Sequence, residues 1–333
     1  MSYSTFYARF LRLSIAAGAV ALTACAHGPG PDLRLQDHPL AGRIWDAQGV
    51  RFVDAAEVTA RLRRNRIILL GETHDNPEHH RIQARLFDAL TASGQVRALV
   101  MEQFDAEHQP QIDQVRRSGE ATADAVATAG KIDRAGWNWP LYEPLVALAL
   151  TRDMPIAAAN LSRADARRVA ASGFGVLGED RAQRLPLDAV WSEERSKVMA
   201  DIITASHCGQ VPEAVLPGIM RAQRARDAVM ADVLAHYADT GAVAILGRGH
   251  ARRDIGVPLY LSPLAPTADV VVVGIVEVEE EDQDQDPRAY LPAESGATGV
   301  GNAYDYLWFT PRAQRKDPCA GFSAEKLRSA TPR

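Results

Sequence analysis

Lysine is nearly missing from this chain of 333 residues, and arginine supplies almost all of its positive charge. The formal net charge is -5 and no long basic run exists, which argues against a nucleic-acid partner. Cysteine is scarce as well, at three: Cys25, Cys208 and Cys319. None has a CxxC partner, which argues against a zinc knuckle. Apolar runs of membrane-spanning length, roughly 20 residues, are lacking too. What remains is a chain that is 47% hydrophobic, ample for one large core or for a domain with an insertion.

The N-terminus reads as a targeting segment. Arg9 and Arg12 form a basic start, and Leu13 to Leu22 is an apolar stretch too short to span a bilayer. Leu22-Thr23-Ala24-Cys25 then has the pattern of a bacterial lipobox, with Cys25 as the acylated first residue of the mature chain. Residues 1–24 are thus expected to be a lipoprotein signal peptide. Ala26 after the cysteine points to the outer membrane, with the domain facing the periplasm. Residues 25–40, rich in Gly, Pro and charge, read as a tether. An exported chain with two further cysteines invites one disulfide, but the wide separation of Cys208 and Cys319 leaves their pairing open.

One stretch organises the rest. Ile67-Ile68-Leu69-Leu70 is an apolar run of strand length, broken at Gly71 and followed by Glu72, Thr73, His74 and Asp75. Asn76 suits a helix N-cap and Pro77 the first helical position. A buried strand, a polar turn and a helix start are therefore expected, with Glu72, His74, His79 and His80 around the turn. A carboxylate and three imidazoles so close together can bind metal, move protons or line a cofactor pocket.

The pattern recurs. Ala98–Met101 reads as a strand ending at Glu102-Gln103, Pro155–Ala159 as one ending at Asn160, and Val243–Leu246 as one followed by Gly247-Arg248-Gly249-His250. Val270–Val278 is nearly all β-branched and reads as buried. Gly42–Phe52 suggests an edge hairpin and Tyr304–Thr310 a last strand. Parallel strands put their C-terminal ends on one edge, where open α/β sheets bind ligands. The expected fold is therefore α/β, a mostly parallel central sheet flanked by helices, over residues 41–310. Residues from about 163 to 239 are helical in pattern and read as an inserted helical subdomain. Within it, Gln223 and Asp227 share a helix face that is a candidate to look into the site. Residues 311–333 read as a loosely held tail. Trp137, Trp139 and Tyr142 form an aromatic cluster, expected mainly in the core.

Leu70-Gly71-Glu72-Thr73-His74-Asp75-Asn76 with His79-His80, Met101-Glu102, Tyr142-Glu143-Pro144-Leu145, Ala159-Asn160-Leu161, His207-Cys208-Gly209 and Gly247-x-Gly249-His250-Ala251 occur in an order that resembles the ChaN family. These are haem-binding lipoproteins of the Tiki/TraB-like superfamily. The resemblance runs from about residue 42 to about 275. It implies haem bound at a homodimer contact through a tyrosine, and a role in haem or iron acquisition with an outer-membrane transport system. Tyr142 lies in a family-like motif, while Tyr260, Tyr290, Tyr304 and Tyr306 are also available. The cofactor-binding set is expected among His74, His79, His80, Tyr142, Arg248 and His250.

The wider superfamily includes metal-dependent Tiki peptidases and erythromycin esterases. Gly71-x-x-His74, Glu102 and Gly247-x-x-His250 are similar to their motifs. That resemblance implies an alternative: a hydrolase with Glu72, His74, Glu102 and His250 around a divalent transition metal, or with His74 as a metal-free base. Arg248 stands where relatives often have Asn. A guanidinium there opposes a bound cation but suits a haem propionate.

Overall fold

A computed structural model describes residues 33–320 apart from 93, 95, 281–284, 293–300 and 318. Cys25 and the signal-peptide stretch lie outside the described residues. The strands are β1 (Leu33–Arg34), β2 (Ile44–Asp46), β3 (Arg51–Val53), β4 (Ile67–Glu72), β5 (Leu99–Asp105), β6 (Ile156–Asn160), β7 (Ala242–Gly247), β8 (Val270–Glu277), β9 (Tyr306–Thr310) and β10 (Arg312–Ala313). Eight of them form one sheet in the order β3-β2-β9-β8-β4-β7-β5-β6. The six from β9 to β6 are parallel, and β2 and β3 close one edge as an antiparallel hairpin. The α/β class is as the sequence implies.

The central strands β4 and β7 are buried along their whole length, and β5 up to Asp105, because helices cover both faces. One core holds Ile68, Leu70, Met101 and Ile245 against Phe87, Leu90 and Tyr142; the other holds Leu69, Val100 and Ala244 against Ala225, Ala228 and Leu261. The alternation of side chains along each strand sorts them between the two.

Sequence order and spatial order differ at one place. β4 and β5 are joined by a helix, yet β7 lies between them and pairs with both. The four strands with polar ends are therefore neighbours, in the order β4-β7-β5-β6. Gly71 makes this possible: a Cβ there would lie 2.8 Å from Ala251 Cβ and 3.1 Å from Arg248 Cα. Only a bare backbone lets the turn after β7 sit against β4.

Asn76 caps the helix Pro77–Thr91, accepting from the Glu78 N–H, with Pro77 in its first turn. Ser162 and Ser192 cap the helices Arg163–Ser172 and Glu193–Ser206 in the same way. Pro217 delays the next helix, which runs Leu216–Ala235, and does not kink it because it sits in the first turn.

The helical stretch 163–239 packs partly on the sheet and partly on itself. The helix Leu216–Ala235 carries an Ala-rich face, Ala225, Ala228 and Ala231, into the main core, packed on β5 and β6. A crossover between parallel strands must cover the sheet, and small side chains let it lie close. Only Val198, Met199 and Ile203 of the preceding helix, with Ile255, make a small cluster of their own.

Both ends of the domain are also more ordered than expected. Within the stretch read as a tether, β1 pairs with β10 and Leu40 is buried. Within the stretch read as a loose tail, Arg315 pairs with Asp75 and Glu277, and Cys319 is bonded to Cys208. No helix among the described residues is long and apolar enough to cross a membrane.

Candidate functional site

Glu72 is the hub of the sheet's C-terminal edge. Its side chain is fully buried. Oε1 accepts from Tyr142 Oη at 2.5 Å and from Gln103 Nε2 at 3.3 Å, and lies 2.9 Å from His74 Nδ1. Oε2 accepts from Gln83 Nε2 at 2.7 Å and faces His80 Nδ1 at 3.3 Å. Burial alone would raise this carboxyl, but the charge of His80 and the contacts with His74 and Tyr142 outweigh it and hold Glu72 down at about 2. Glu72 is thus a buried anion held by donors on both oxygens.

The second group lies under the turn after β7. Glu102 Oε2 accepts from the Gly247 N–H at 2.6 Å. His250 bridges two carboxylates, with Nδ1 at 2.6 Å from Asp227 Oδ1 and Nε2 at 3.5 Å from Glu102 Oε1. Burial disfavours its charge, yet the two acids raise His250 to about 9. Burial pushes Asp227 up to about 6 despite the imidazole beside it. Arg226 donates to Asn160 Oδ1 at 2.6 Å, so the end of β6 joins the same network.

His74 links the two groups and is the imidazole that reaches solvent, with 41% of its side chain exposed. Nδ1 is held by Glu72, and the ring meets Trp137 edge-on at 4.7 Å. Nε2 and Cε1 lie over Gly247, where a Cβ would come within 3.0 and 3.1 Å of them. Burial disfavours the imidazolium, but the hydrogen bond and charge of Glu72 raise its pKa above the usual histidine value.

The other predicted residues fall differently. His79 is a structural residue: Nδ1 accepts from the Thr73 N–H at 2.9 Å and Nε2 lies 2.8 Å from Thr310 Oγ1. Burial pushes it down to about 3, so it stays neutral. His80 is buried, with Nε2 at 3.0 Å from the His74 carbonyl. Both rings are buried, and His250 has both nitrogens facing carboxylates. Tyr142 is fully buried, and burial together with Glu72 raises its pKa steeply. It is a phenol donor to a carboxylate, a poor state from which to ligate iron. Arg248 is exposed at the rim. Of the aromatic cluster, Trp139 packs in the core against Phe104, while Trp137 flanks His74.

The metal set also fails to assemble. Among the described residues, the set of three or more whose ligand atoms fall within 4.8 Å of one another is Asp105, Glu107 and His108, not Glu72, His74, Glu102 and His250. The reason is chemical. Donors from Tyr142, Gln83 and Gln103 fill the Glu72 oxygens, and the Gly247 N–H takes an oxygen of Glu102.

Two contributors were weakly marked or missed. Asp227 was legible only as part of a mixed helix face. Gln83 belongs to none of the strand-end motifs, although a Gln one turn after His79 on an otherwise apolar face (Ile82, Leu86, Phe87, Leu90) is the trace of a buried hydrogen-bonding role.

The profile of the family described as "Haem-binding uptake, Tiki superfamily, ChaN" matches residues 58–261, well over half of the chain. The chain belongs to this family. Among solved structures it is similar to one of cofacial haem binding to ChaN of Campylobacter jejuni, at 23% identity and a TM-score of 0.64, covering 80% of this chain and 95% of that one. It also has a likeness to the erythromycin esterase EreC in its open conformation, at 11% identity and a TM-score of 0.46, covering 79% of this chain and 95% of that one. A toxin effector domain, RRSP from Vibrio vulnificus, matches at 18% identity and a TM-score of 0.39, covering 66% of this chain and 35% of that one. No curated protein sequence matches. The matched family region spans β4 to β7, and so includes Glu72, His74, Glu102, Asp227 and His250.

Proposed function

We propose that this chain binds haem and serves haem or iron acquisition as a lipoprotein anchored through Cys25 in the cell envelope, at the outer membrane facing the periplasm. Membership of a haem-binding uptake family carries this reading. The residues present fit the ligand in one arrangement. A haem site needs an accessible axial donor, an apolar flank and cations for the propionates. His74 offers Nε2, while its Nδ1 is anchored on a buried carboxylate, the contact that fixes the tautomer and raises the basicity of a ligating imidazole. Trp137 supplies the flank and exposed Arg248 the cation. The homodimer and the outer-membrane transport partner are part of the same proposal, by analogy with the family.

Haemin titration followed by the Soret band tests it. Wild type is expected to show a saturable shift with a histidine-type spectrum, lost in His74→Ala. A flat wild-type titration would overturn the reading.

A second reading rests on the Glu72–His74 pair. A buried carboxylate holding Nδ1 of a solvent-reaching imidazole is the arrangement of a general base, with no metal required. Turnover of activated esters that disappears in His74→Ala would favour it over haem carriage.

A further inference from the structure

The chain beyond β9 folds back over the turn that carries His74. Arg315 forks across two carboxylates: Nε and Nη2 donate to Asp75 at 2.9 and 2.7 Å, and Nη1 and Nη2 donate to Glu277 at 2.7 Å each. Glu277 Oε1 also accepts from Asn76 Nδ2 at 2.7 Å and from the Ala313 N–H at 2.9 Å. Asn76 Nδ2 donates in addition to the Pro311 carbonyl at 2.9 Å. Both residues that follow His74, Asp75 and Asn76, are thus gripped by residues 311–315. This segment lies outside the family-matched residues 58–261.

An isolated exposed ion pair contributes little. Here one guanidinium serves two acids, and Glu277 is mostly buried, so breaking the fork strands a desolvated charge. The chain leads from the fork to a covalent anchor. Four residues on, Cys319 is joined to Cys208, in the turn between the helices Glu193–Ser206 and Leu216–Ala235. Cys208 and Gly209 both hold left-handed φ, 60° and 68°, so the turn presents the sulfur from a defined backbone. Chain ends fray unless tied down, and this bond closes a loop across 111 residues. Cys319 is exposed and Cys208 partly so, within reach of a reductant.

We propose that Pro311–Asp317 with Cys319 acts as a strap on the His74 turn, buckled by the Cys208–Cys319 disulfide and released when a dithiol reduces it. In that step the S–S bond breaks and the two sulfurs take up two electrons and two protons. The dithiol donor is oxidised to its own disulfide. Freed at Cys319, the tail loosens its hold through Arg315, and Asp75, Asn76 and the neighbouring imidazole gain freedom. Arg315 is in these terms a positioning residue for His74. The haem arm of the test rests on the reading of His74 as ligand; the strap itself does not.

Amide hydrogen exchange on the full chain, oxidised and after dithiothreitol, decides the matter. The Asn76 N–H bonded to the Thr73 carbonyl and the Thr73 N–H bonded to His79 report on the turn. Reduction and Cys319→Ser are each expected to speed exchange over residues 73–80 severalfold, while β8 stays protected as the folding control. Arg315→Gln should do the same without reductant, reduction should then add little, and Arg315→Lys should restore part of the protection. Unchanged exchange over 73–80 after reduction, with change confined to residues near 208 and 319, would overturn the strap. Haemin titration of the same samples is expected to weaken about tenfold, or about 1.4 kcal/mol. If exchange responds while haemin binding ignores both reduction and His74→Ala, the strap stands and the reading of His74 as ligand falls.

Discussion

Tyr142 donates its hydroxyl to Glu72 Oε1 at 2.5 Å, on the same oxygen that lies 2.9 Å from His74 Nδ1. One buried oxygen thus sets the place of a phenol and an imidazole together. It also divides their roles. The phenol is enclosed and its proton is held by an acceptor, whereas the imidazole keeps one nitrogen at the rim.

This division makes Tyr142→Phe informative. The variant removes a donor from a buried carboxylate and is expected to cost about 1–3 kcal/mol of stability, since an acceptor loses a partner away from water. Urea unfolding would read that loss. The haemin spectrum should keep its band positions. Loss of a tyrosinate-type band in Tyr142→Phe would show instead that the phenol leaves Glu72 to take the iron.

The acid side of the stability curve should carry the signature of His79. An unfolded histidine takes its proton near 6.5, while folded His79 resists until about 3. The unfolded state therefore binds more protons across that window, and stability must fall as pH drops through it. Glu72 acts lower: its contribution is present above 4.5 and is lost as pH falls toward about 2. Asp227, raised to about 6 from 3.8, runs the opposite way. Comparing wild type with His79→Gln between pH 6.5 and 4.5 isolates the first of these. The variant is expected to be less stable at pH 7 but flatter with pH, by about 1 kcal/mol per unit. Parallel curves in urea melts would show that His79 titrates normally in the fold.

Gly247→Ala tests how closely His74 must sit. The added methyl would come within 3.0 Å of Nε2 and 3.1 Å of Cε1, so the ring must give by a few tenths of an ångström. Haemin affinity is expected to fall about tenfold while the melting temperature shifts by only a few degrees, because the ring can move toward solvent. Unaltered affinity would place the ligand away from His74.

The strand-end chemistry was legible because it depends on short-range rules. An apolar run of strand length that ends abruptly in Glu72, Glu102, Asn160 or Gly247 says that a polar edge follows, and parallel strands bring their ends to one side. Asn76-Pro77 and Ser162 mark helix starts through hydrogen bonds to N–H groups two or three residues on, whereas the start at Ser192, inside the stretch 187–206 that reads as one helix, is set by the structure. Class, edge and most of the polar residues at that edge follow from such patterns.

The tertiary structure alone decided three further things. It put β7 between β4 and β5, a choice made by packing across hundreds of residues and by the bare backbone of Gly71. It separated the open imidazole of His74 from the closed ones of His79, His80 and His250, because exposure and partners belong to neighbours far away in the chain. And it carried Arg315 to Asp75 across 240 positions, a meeting that no local periodicity encodes because it exists only once both ends of the chain have packed on the same sheet.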